Sequence, residues 1–398
     1  MAHISDRVKS LAVSATLAMS QKSSELRAQG VDVINLSVGE PDFETPEFIK
    51  EAAKRAIDEN FTFYTPVPGY LSLRKAVAEK LKRENGVEYA PEQIVVSNGA
   101  KQALCNVILA TVNRGDEVII PMPAWVSYVE MVKLAEGTPV EIRASIEQNF
   151  KITPEQLREA ITDRTVMVML CSPSNPTGSV YTRDELAALV DVLKDYPEII
   201  VLADEIYEHI NFTGEFTSMA SFKEIADRVV IINGVSKAYA MTGWRIGYCA
   251  APAAIAKAVS KLQGQYTSNA SSIAQKAAEA AYTGPQDCVA EMCEAFHRRR
   301  DLVVKLAREI PGLKVNEPQG AFYLFPEVSA YIGKTTAEGK KIESSADLAM
   351  YLLETGHVAT VAGSAFGMEG YIRLSYATSD DNIREAMRRM AAALSELK

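Results

Sequence analysis

The chain has 398 residues, with 42 Lys+Arg against 51 Asp+Glu for a net charge of −9, and it is 47% hydrophobic and 23% charged. At about 100 to 200 residues per domain, this is a globular protein of two or three domains with a substantial core, which excludes a peptide or a stapled mini-fold. The acid excess also excludes a footprint for nucleic-acid phosphates, because the one basic cluster, His297-Arg298-Arg299-Arg300, runs straight into Asp301.

At the N-terminus, residues 11–19 follow Arg7 and Lys9 like a short signal core, but Asp6, Ser14 and Thr16 interrupt the pattern, so a mature segment is expected. No apolar run approaches the roughly 18 residues of a membrane span, and no membrane partner is expected. From about residue 97 to 251, short β-rich apolar runs at 118–121, 166–170, 199–203, 229–232 and 245–250 alternate with helical stretches. Such alternation predicts an α/β unit with a mostly parallel sheet covered by helices. Thr182 with Glu185 three residues on forms a capping box and marks one helix start. After Pro252 the spacing predicts helices over 253–262, 271–282 and 289–309, then strand-like runs at 321–325 and 371–375. A smaller α+β unit is expected to begin near residue 290.

Several chemistries lack their sequence signature. Neither G-x-G-x-x-G nor G-x-x-x-x-G-K-[ST] occurs, which disfavours dinucleotide and Walker-type nucleotide binding. Cys293 and His297 share a helix face, but no third and fourth ligand fall in register, so packing is the better reading and no metal is expected. The five cysteines, Cys105, Cys171, Cys249, Cys288 and Cys293, are odd in number and lack paired spacing, which fits a reducing compartment and a cytoplasmic protein.

Between residues 171 and 251 the sequence reads C-S-P-S-N-P-T-G, then A-D-E-I-Y, then G-V-S-K-A-Y-A-M-T-G-W-R-I-G. Each segment lies at or just after the C-terminal end of an expected strand, the edge where open α/β sheets bind ligands. Lys237 stands among small residues, with Ser236 beside it and Arg245 eight residues on, a hydroxyl and a guanidinium suited to a phosphate dianion. Asp204 follows an apolar run, where a carboxylate is costly unless it has a partner. The segment Ser97-Asn98-Gly99-Ala100-Lys101 opens a helical run whose free amides favour an anion.

This ordered set resembles the fold type I pyridoxal phosphate enzymes, and within them the class I aminotransferases. The resemblance extends from Ser37-Val38-Gly39-Glu40-Pro41 to Arg373-Leu374-Ser375-Tyr376-Ala377. It implies pyridoxal 5′-phosphate as cofactor, with a Schiff base on Lys237, which then moves protons as general acid and base. It further implies Asp204 at the ring nitrogen, Tyr207 and Asn175 at the phenolic oxygen, and Trp125 stacked on the ring. Gly99, Ala100, Ser236 and Arg245 would meet the phosphate, with Lys101 at the cofactor as an alternative to a substrate role, joined by Tyr70 from the partner of a homodimer. Arg373, Gly39, Asn175 and Trp125 would line the substrate, with Arg373 on its α-carboxylate.

Lys101, with Ser14 and Thr16 in V-S-A-T-L, resembles the bacterial-type aspartate aminotransferases, in which this lysine meets a second carboxylate; Val13 stands where that subgroup commonly has proline. The implied reaction is ping-pong transamination between L-aspartate and 2-oxoglutarate. Alternatives are added activity on prephenate, an aromatic or neutral amino-acid aminotransferase, or a C–S lyase on the same scaffold. A cofactor-sensing module of a transcription regulator would require an added DNA-binding segment and is not expected. The resemblance divides the chain into an N-terminal segment, 1–45, that joins the small domain, a large cofactor-binding domain, 46–290, and a small α+β domain, 291–398.

Overall fold

The computed structural model describes residues 4–398. Its main sheet has seven strands, β2 (Ile94–Ser97), β3 (Glu117–Met122), β4 (Thr138–Arg143), β5 (Thr165–Cys171), β6 (Ile200–Asp204), β7 (Val229–Gly234) and β8 (Gly247–Ala250), in the order β2-β8-β7-β6-β5-β3-β4. Strands β4, β3, β5, β6 and β7 run parallel, and β8 runs antiparallel to both β7 and β2.

The central strands are apolar throughout because both faces are covered. Val168, Val201 and Ile231 point into one core, and Met167, Leu202 and Val230 into the other. Successive side chains alternate across a strand, so a sheet buried on both sides asks for a continuous apolar run. The helices Ala100–Thr111, Ser127–Leu134 and Ala253–Tyr266 contribute to the second core, and Arg183–Leu193 and Ser272–Thr283 to the first. Thr182 accepts from the Glu185 amide at 3.2 Å while Glu185 accepts from the Thr182 amide at 2.8 Å, the reciprocal capping expected there.

Strands β2 and β4 were not anticipated from the sequence. β4 reads T-P-V-E-I-R and lies at the sheet edge, where a proline is tolerated and charged side chains face solvent, so it lacks the apolar signature of its neighbours. The run expected at 245–250 begins later, at Gly247, because Arg245 is left-handed at φ +57° and belongs to the preceding turn.

A smaller unit carries the antiparallel sheet β11 (Val361–Ala362), β12 (Ile372–Ser375) and β9 (Tyr323–Leu324), and a two-stranded parallel pair of β1 (Ile34–Asn35) with β10 (Val358–Ala359). Helices Ser345–Glu354 and Asp380–Ser395 cover it. The helix Asp287–Arg308 passes between the units: Val289 joins the large core, whereas Phe296, Val303 and Ala307 join the small one. We propose the domain boundary near residue 290 on this change of core. The N-terminal helix Ala15–Ala28 packs Met19 and Leu26 against Leu353 and Ala359 of the small unit, in keeping with grouping 1–45 with it.

The basic cluster is structural. Arg299 makes a two-pronged contact to Asp42 at 2.7 and 2.9 Å, and His297 stacks on Phe212 with ring centres 4.9 Å apart. Cys293 lies against the Asn211 carbonyl at 3.7 Å, and all five cysteines are free thiols.

Candidate active site

The C-terminal ends of β2, β5, β6 and β7 and the start of β8 meet at one edge, where a cavity of about 370 Å³ opens between the two units. Its walls include Ser14, Thr16, Gly39, Ala100, Lys101, Trp125, Asn175, Asp204, Tyr207, Ser236, Lys237, Arg245 and Arg373. Residues separated by more than 350 positions in sequence are thus gathered at one point by topology alone. Gly99 borders the site through Arg245. Tyr70 does not line this cavity in its own chain: it precedes the helix Leu71–Lys80, donates its amide to Gln275 Oε1 at 2.8 Å and packs edge-on against Phe61.

Strand β8 is reversed, so the loop 235–246 returns to the edge from which β7 left. That loop carries Ser236, Lys237 and Arg245. Lys237 Nζ donates to the Gly39 carbonyl at 2.5 Å. Desolvation lowers its ammonium to about 8; Glu40 opposes the shift, and the positive charge of Arg373 adds to it. A lysine so poised releases its proton near neutral pH.

Asp204 is the last residue of β6 and is 5% exposed. Burial raises its carboxyl to about 6, against hydrogen bonds from the Tyr128 hydroxyl to Oδ2 at 2.6 Å and from the Ile206 amide to Oδ1 at 3.2 Å. Among the described residues it has no Lys, Arg or His within ion-pair distance. A buried acid of this kind gains most from a cationic N–H brought in from outside.

Arg373, on β12, is 1% exposed, yet its partners are neutral: Asn175 Oδ1 at 3.1 Å and the Ser37 carbonyl at 2.6 Å. Its guanidinium is held between the Tyr323 and Phe366 rings, 4.6 and 4.9 Å from their centres, and its Nε has no hydrogen-bond partner among the described residues. No carboxylate among the described residues lies within ion-pair distance of it. Burying an uncompensated guanidinium is expensive, and a bound carboxylate is the natural compensation.

Tyr207 and Tyr323 hydroxyls lie 2.9 Å apart. A Cβ on Gly39 would come within 2.6 Å of the Tyr323 hydroxyl, so any larger residue there would displace that hydroxyl. At the other end, the helix Ala100–Thr111 aims its N-terminus at the cavity, and the Ala100 and Lys101 amides donate to no group among the described residues. Gly99 sits at φ +83°, and a Cβ there would collide with the Arg245 guanidinium. Arg245 is itself fixed by its bonds to the Thr242 carbonyl at 2.7 Å and the Asn98 carbonyl at 3.3 Å. Free helix amides, a guanidinium and the Ser236 hydroxyl form an anion cradle.

Lys101 Nζ lies 4.9 Å from the centre of the Trp125 ring; desolvation lowers its ammonium and Arg245 adds to the effect. Ser14 precedes the helix Ala15–Ala28, and the buried Thr16 hydroxyl has no hydrogen-bond partner among the described residues. Sequence reasoning passed over Tyr128, although it follows Trp125 by only three positions and bonds its amide back to the Trp125 carbonyl at 3.0 Å as the helix begins. Tyr323 was passed over as well; its strand-like run gave no sign that the hydroxyl would meet Tyr207. One cluster of potential metal ligands, Glu84, Glu208 and His209, lies outside the cavity, and the Lys80 ammonium already takes the two carboxylates.

The model for "Aminotransferase class I and II" matches residues 31–390. Among curated proteins, the chain is 51% identical to an aspartate/prephenate aminotransferase of Cereibacter sphaeroides, over 98% of both chains. It is 46% identical to an aspartate aminotransferase of Rhizobium meliloti, over 98% of this chain and 96% of that one. Among solved structures, an aspartate aminotransferase from Rhizobium meliloti superposes with a TM-score of 0.96 at 45% identity, covering 100% of each chain. An aspartate aminotransferase from Thermus thermophilus with maleate superposes with a TM-score of 0.92 at 42% identity, covering 99% of this chain and 100% of that one.

Proposed function

The chain belongs to the class I and II aminotransferases, and within that family we propose that it moves the amino group of L-aspartate to 2-oxoglutarate, giving oxaloacetate and L-glutamate. It is a pyridoxal 5′-phosphate-dependent enzyme of fold type I. The observation that carries the choice of substrate is the pair of cations, Arg373 and Lys101, facing one cavity with no carboxylate partner of their own among the described residues.

The cavity suits the cofactor group by group. Asp204 offers a buried carboxylate to a protonated ring nitrogen. Arg245, Ser236 and the free amides of Ala100 and Lys101 offer a cradle to its phosphate; Trp125 offers a flat face to its ring, and Tyr207 and Asn175 offer polar groups to its phenolic oxygen. When bound, pyridoxal phosphate supplies a carbonyl that takes up the amino group and a ring that withdraws electrons from the substrate.

The chain's own residues do the remaining work. Lys237, its ammonium depressed toward neutrality, accepts the substrate's Cα proton and returns it on the cofactor side. Arg373 fixes the α-carboxylate through its planar fork, with Asn175 holding the fork in place. Lys101 takes the distal carboxylate, and Ser14 and Thr16 close that end with hydroxyls. Release of one product before the second substrate enters gives ping-pong kinetics.

Prephenate is a second acceptor in this proposal. It too carries two carboxylates, the relative from Cereibacter sphaeroides is named for it, and the unpartnered Thr16 hydroxyl offers a further polar contact to a larger acceptor.

The assembly proposed is a homodimer in which Tyr70 serves the neighbouring site. Its support is an exposed aromatic stretch just before that residue, with Phe63 79% and Tyr64 91% exposed. No helix among the described residues is long and apolar enough to cross a membrane, and the five free thiols suit the cytoplasm we propose.

A panel of amino donors against 2-oxoglutarate tests the assignment. Aspartate should have a much higher kcat/KM than alanine or phenylalanine. Equal values across the panel would overturn the dicarboxylate reading.

A further inference from the structure

The geometry points to Tyr128 as a positioning residue that holds the Asp204 carboxylate, through its hydroxyl, in the orientation in which it meets the cofactor's ring nitrogen. This rests on the proposed cofactor site and adds to it a residue that touches neither substrate nor cofactor.

Tyr128 stands at the start of the helix Ser127–Leu134 and is 3% exposed. Its hydroxyl gives Asp204 Oδ2 a bond of 2.6 Å, the length of a charge-assisted contact. The Ile206 amide holds the other oxygen at 3.2 Å. Each carboxylate oxygen is thus held by one donor. That fixes the side-chain torsion of a residue whose strand fixes only its backbone.

The Tyr128 ring meets Trp125 edge-on, with ring centres 5.4 Å apart and planes at 88°. One turn of chain therefore sets both the face proposed to lie on the cofactor ring and the orientation of the group proposed to meet its nitrogen. Cys171, paired with Asp204 across β5 and β6, is the other polar side chain at this contact, and burial pushes its thiol up to about 12, so it stays neutral. Lys237 is the remaining charge bearing on Asp204, and it too favours the ionised carboxyl.

Tyr128→Phe removes the hydroxyl and keeps the ring against Trp125. In the apoenzyme, the carboxyl stretch of isotope-labelled aspartate, taken as the difference from the same spectrum of Asp204→Asn, isolates Asp204. Loss of the donor should raise its titration midpoint by about one pH unit, the size expected when one hydrogen bond to a charge is lost. The same change should weaken retention of pyridoxal phosphate by about tenfold. Fluorotyrosine placed at position 128 alone is a stronger donor and should move the midpoint the other way.

Should the phenylalanine variant not fold, the fluorotyrosine protein decides by the direction of its shift. A midpoint unmoved by either change, or moved the same way by both, overturns the role of Tyr128. Wild-type protein that takes up no pyridoxal phosphate would instead overturn the cofactor reading, whatever the apoenzyme titration shows.

Discussion

Lys237 and Gly39 are joined by a hydrogen bond of 2.5 Å from the lysine amine to the glycine carbonyl, across 198 positions of chain. The contact ties the loop after β7 to the N-terminal part of the molecule. It holds the amine over the cavity floor, 5.9 Å from the centre of the Tyr207 ring and 5.8 Å from that of Phe322.

From this placement, borohydride treatment of the holoenzyme followed by peptide mapping should find the pyridoxyl label on Lys237. Lys237→Ala should still bind pyridoxal phosphate, through Asp204, Ser236 and Arg245, while losing turnover. A label on Lys101 or another lysine refutes the assignment.

Gly99→Ala should weaken cofactor binding without unfolding the chain. The added Cβ would occupy the place of the Arg245 guanidinium, and the backbone at φ +83° is strained for any side chain. Equilibrium dialysis against pyridoxal phosphate should show at least a tenfold loss, or about 1.4 kcal/mol. Undiminished affinity would remove Arg245 from the phosphate site.

Asp204→Asn should abolish most turnover and leave the apoprotein at least as stable as wild type at neutral pH. The folded carboxyl titrates near 6, above its ordinary value of 3.8, so the native apoprotein binds the proton more tightly than the unfolded chain. Ionisation therefore costs stability as pH rises from about 4 to about 6, and the cost is constant above that range. The advantage of the asparagine variant should grow across this window and then level off. Denaturant midpoints measured at several pH values check this. A variant less stable than wild type at pH 7 would make Asp204 a structural residue.

Lys101→Ala should lose more kcat/KM for aspartate than for alanine or phenylalanine, by about 1 to 3 kcal/mol, the range for one hydrogen bond to a charged group. Equal losses on all donors would assign Lys101 to the cofactor or to the helix start.

Shared sites make a distinct prediction for mixed dimers. Combining inactive Lys237→Ala with impaired Tyr70→Phe chains in equal amounts makes half the dimers mixed, each with one intact site. Activity should then approach roughly a quarter of wild type under two-fold symmetry. With subunit exchange demonstrated, activity no higher than the mean of the parents shows that Tyr70 does not act across the interface.

The α/β alternation, the helices after Pro252 and the segments around Asn175, Asp204 and Lys237 were legible because each depends on local pattern. Apolar runs report strands buried on both faces, and small residues beside a lysine report a tight turn. The edge strand β4 was not legible, because solvent on its outer side removes the apolar run. The Tyr128–Asp204 and Tyr207–Tyr323 contacts were hidden for another reason: each joins residues on different elements, across 76 and 116 positions, and no periodicity records such a meeting. Arg373 could be singled out by resemblance, but its lack of a carboxylate partner is a fact of three dimensions.

The reversal of β8 makes the loop 235–246 a ruler. Lys237 and Arg245 stand near its two ends, and β7 and β8 clamp those ends through the pairing of Gly234 with Gly247. The spacing of the two residues along the backbone is therefore set by one stretch of covalent chain, while the lysine amine is held at its far end by Gly39. Arg373 stands on β12 of the smaller unit, whereas Asp204 ends β6 and Lys237 and Arg245 ride on the loop between β7 and β8, all carried by the one large sheet. One residue inserted between 238 and 244 would spoil that measure where an equal insertion in the exposed loop 213–215 would leave it intact.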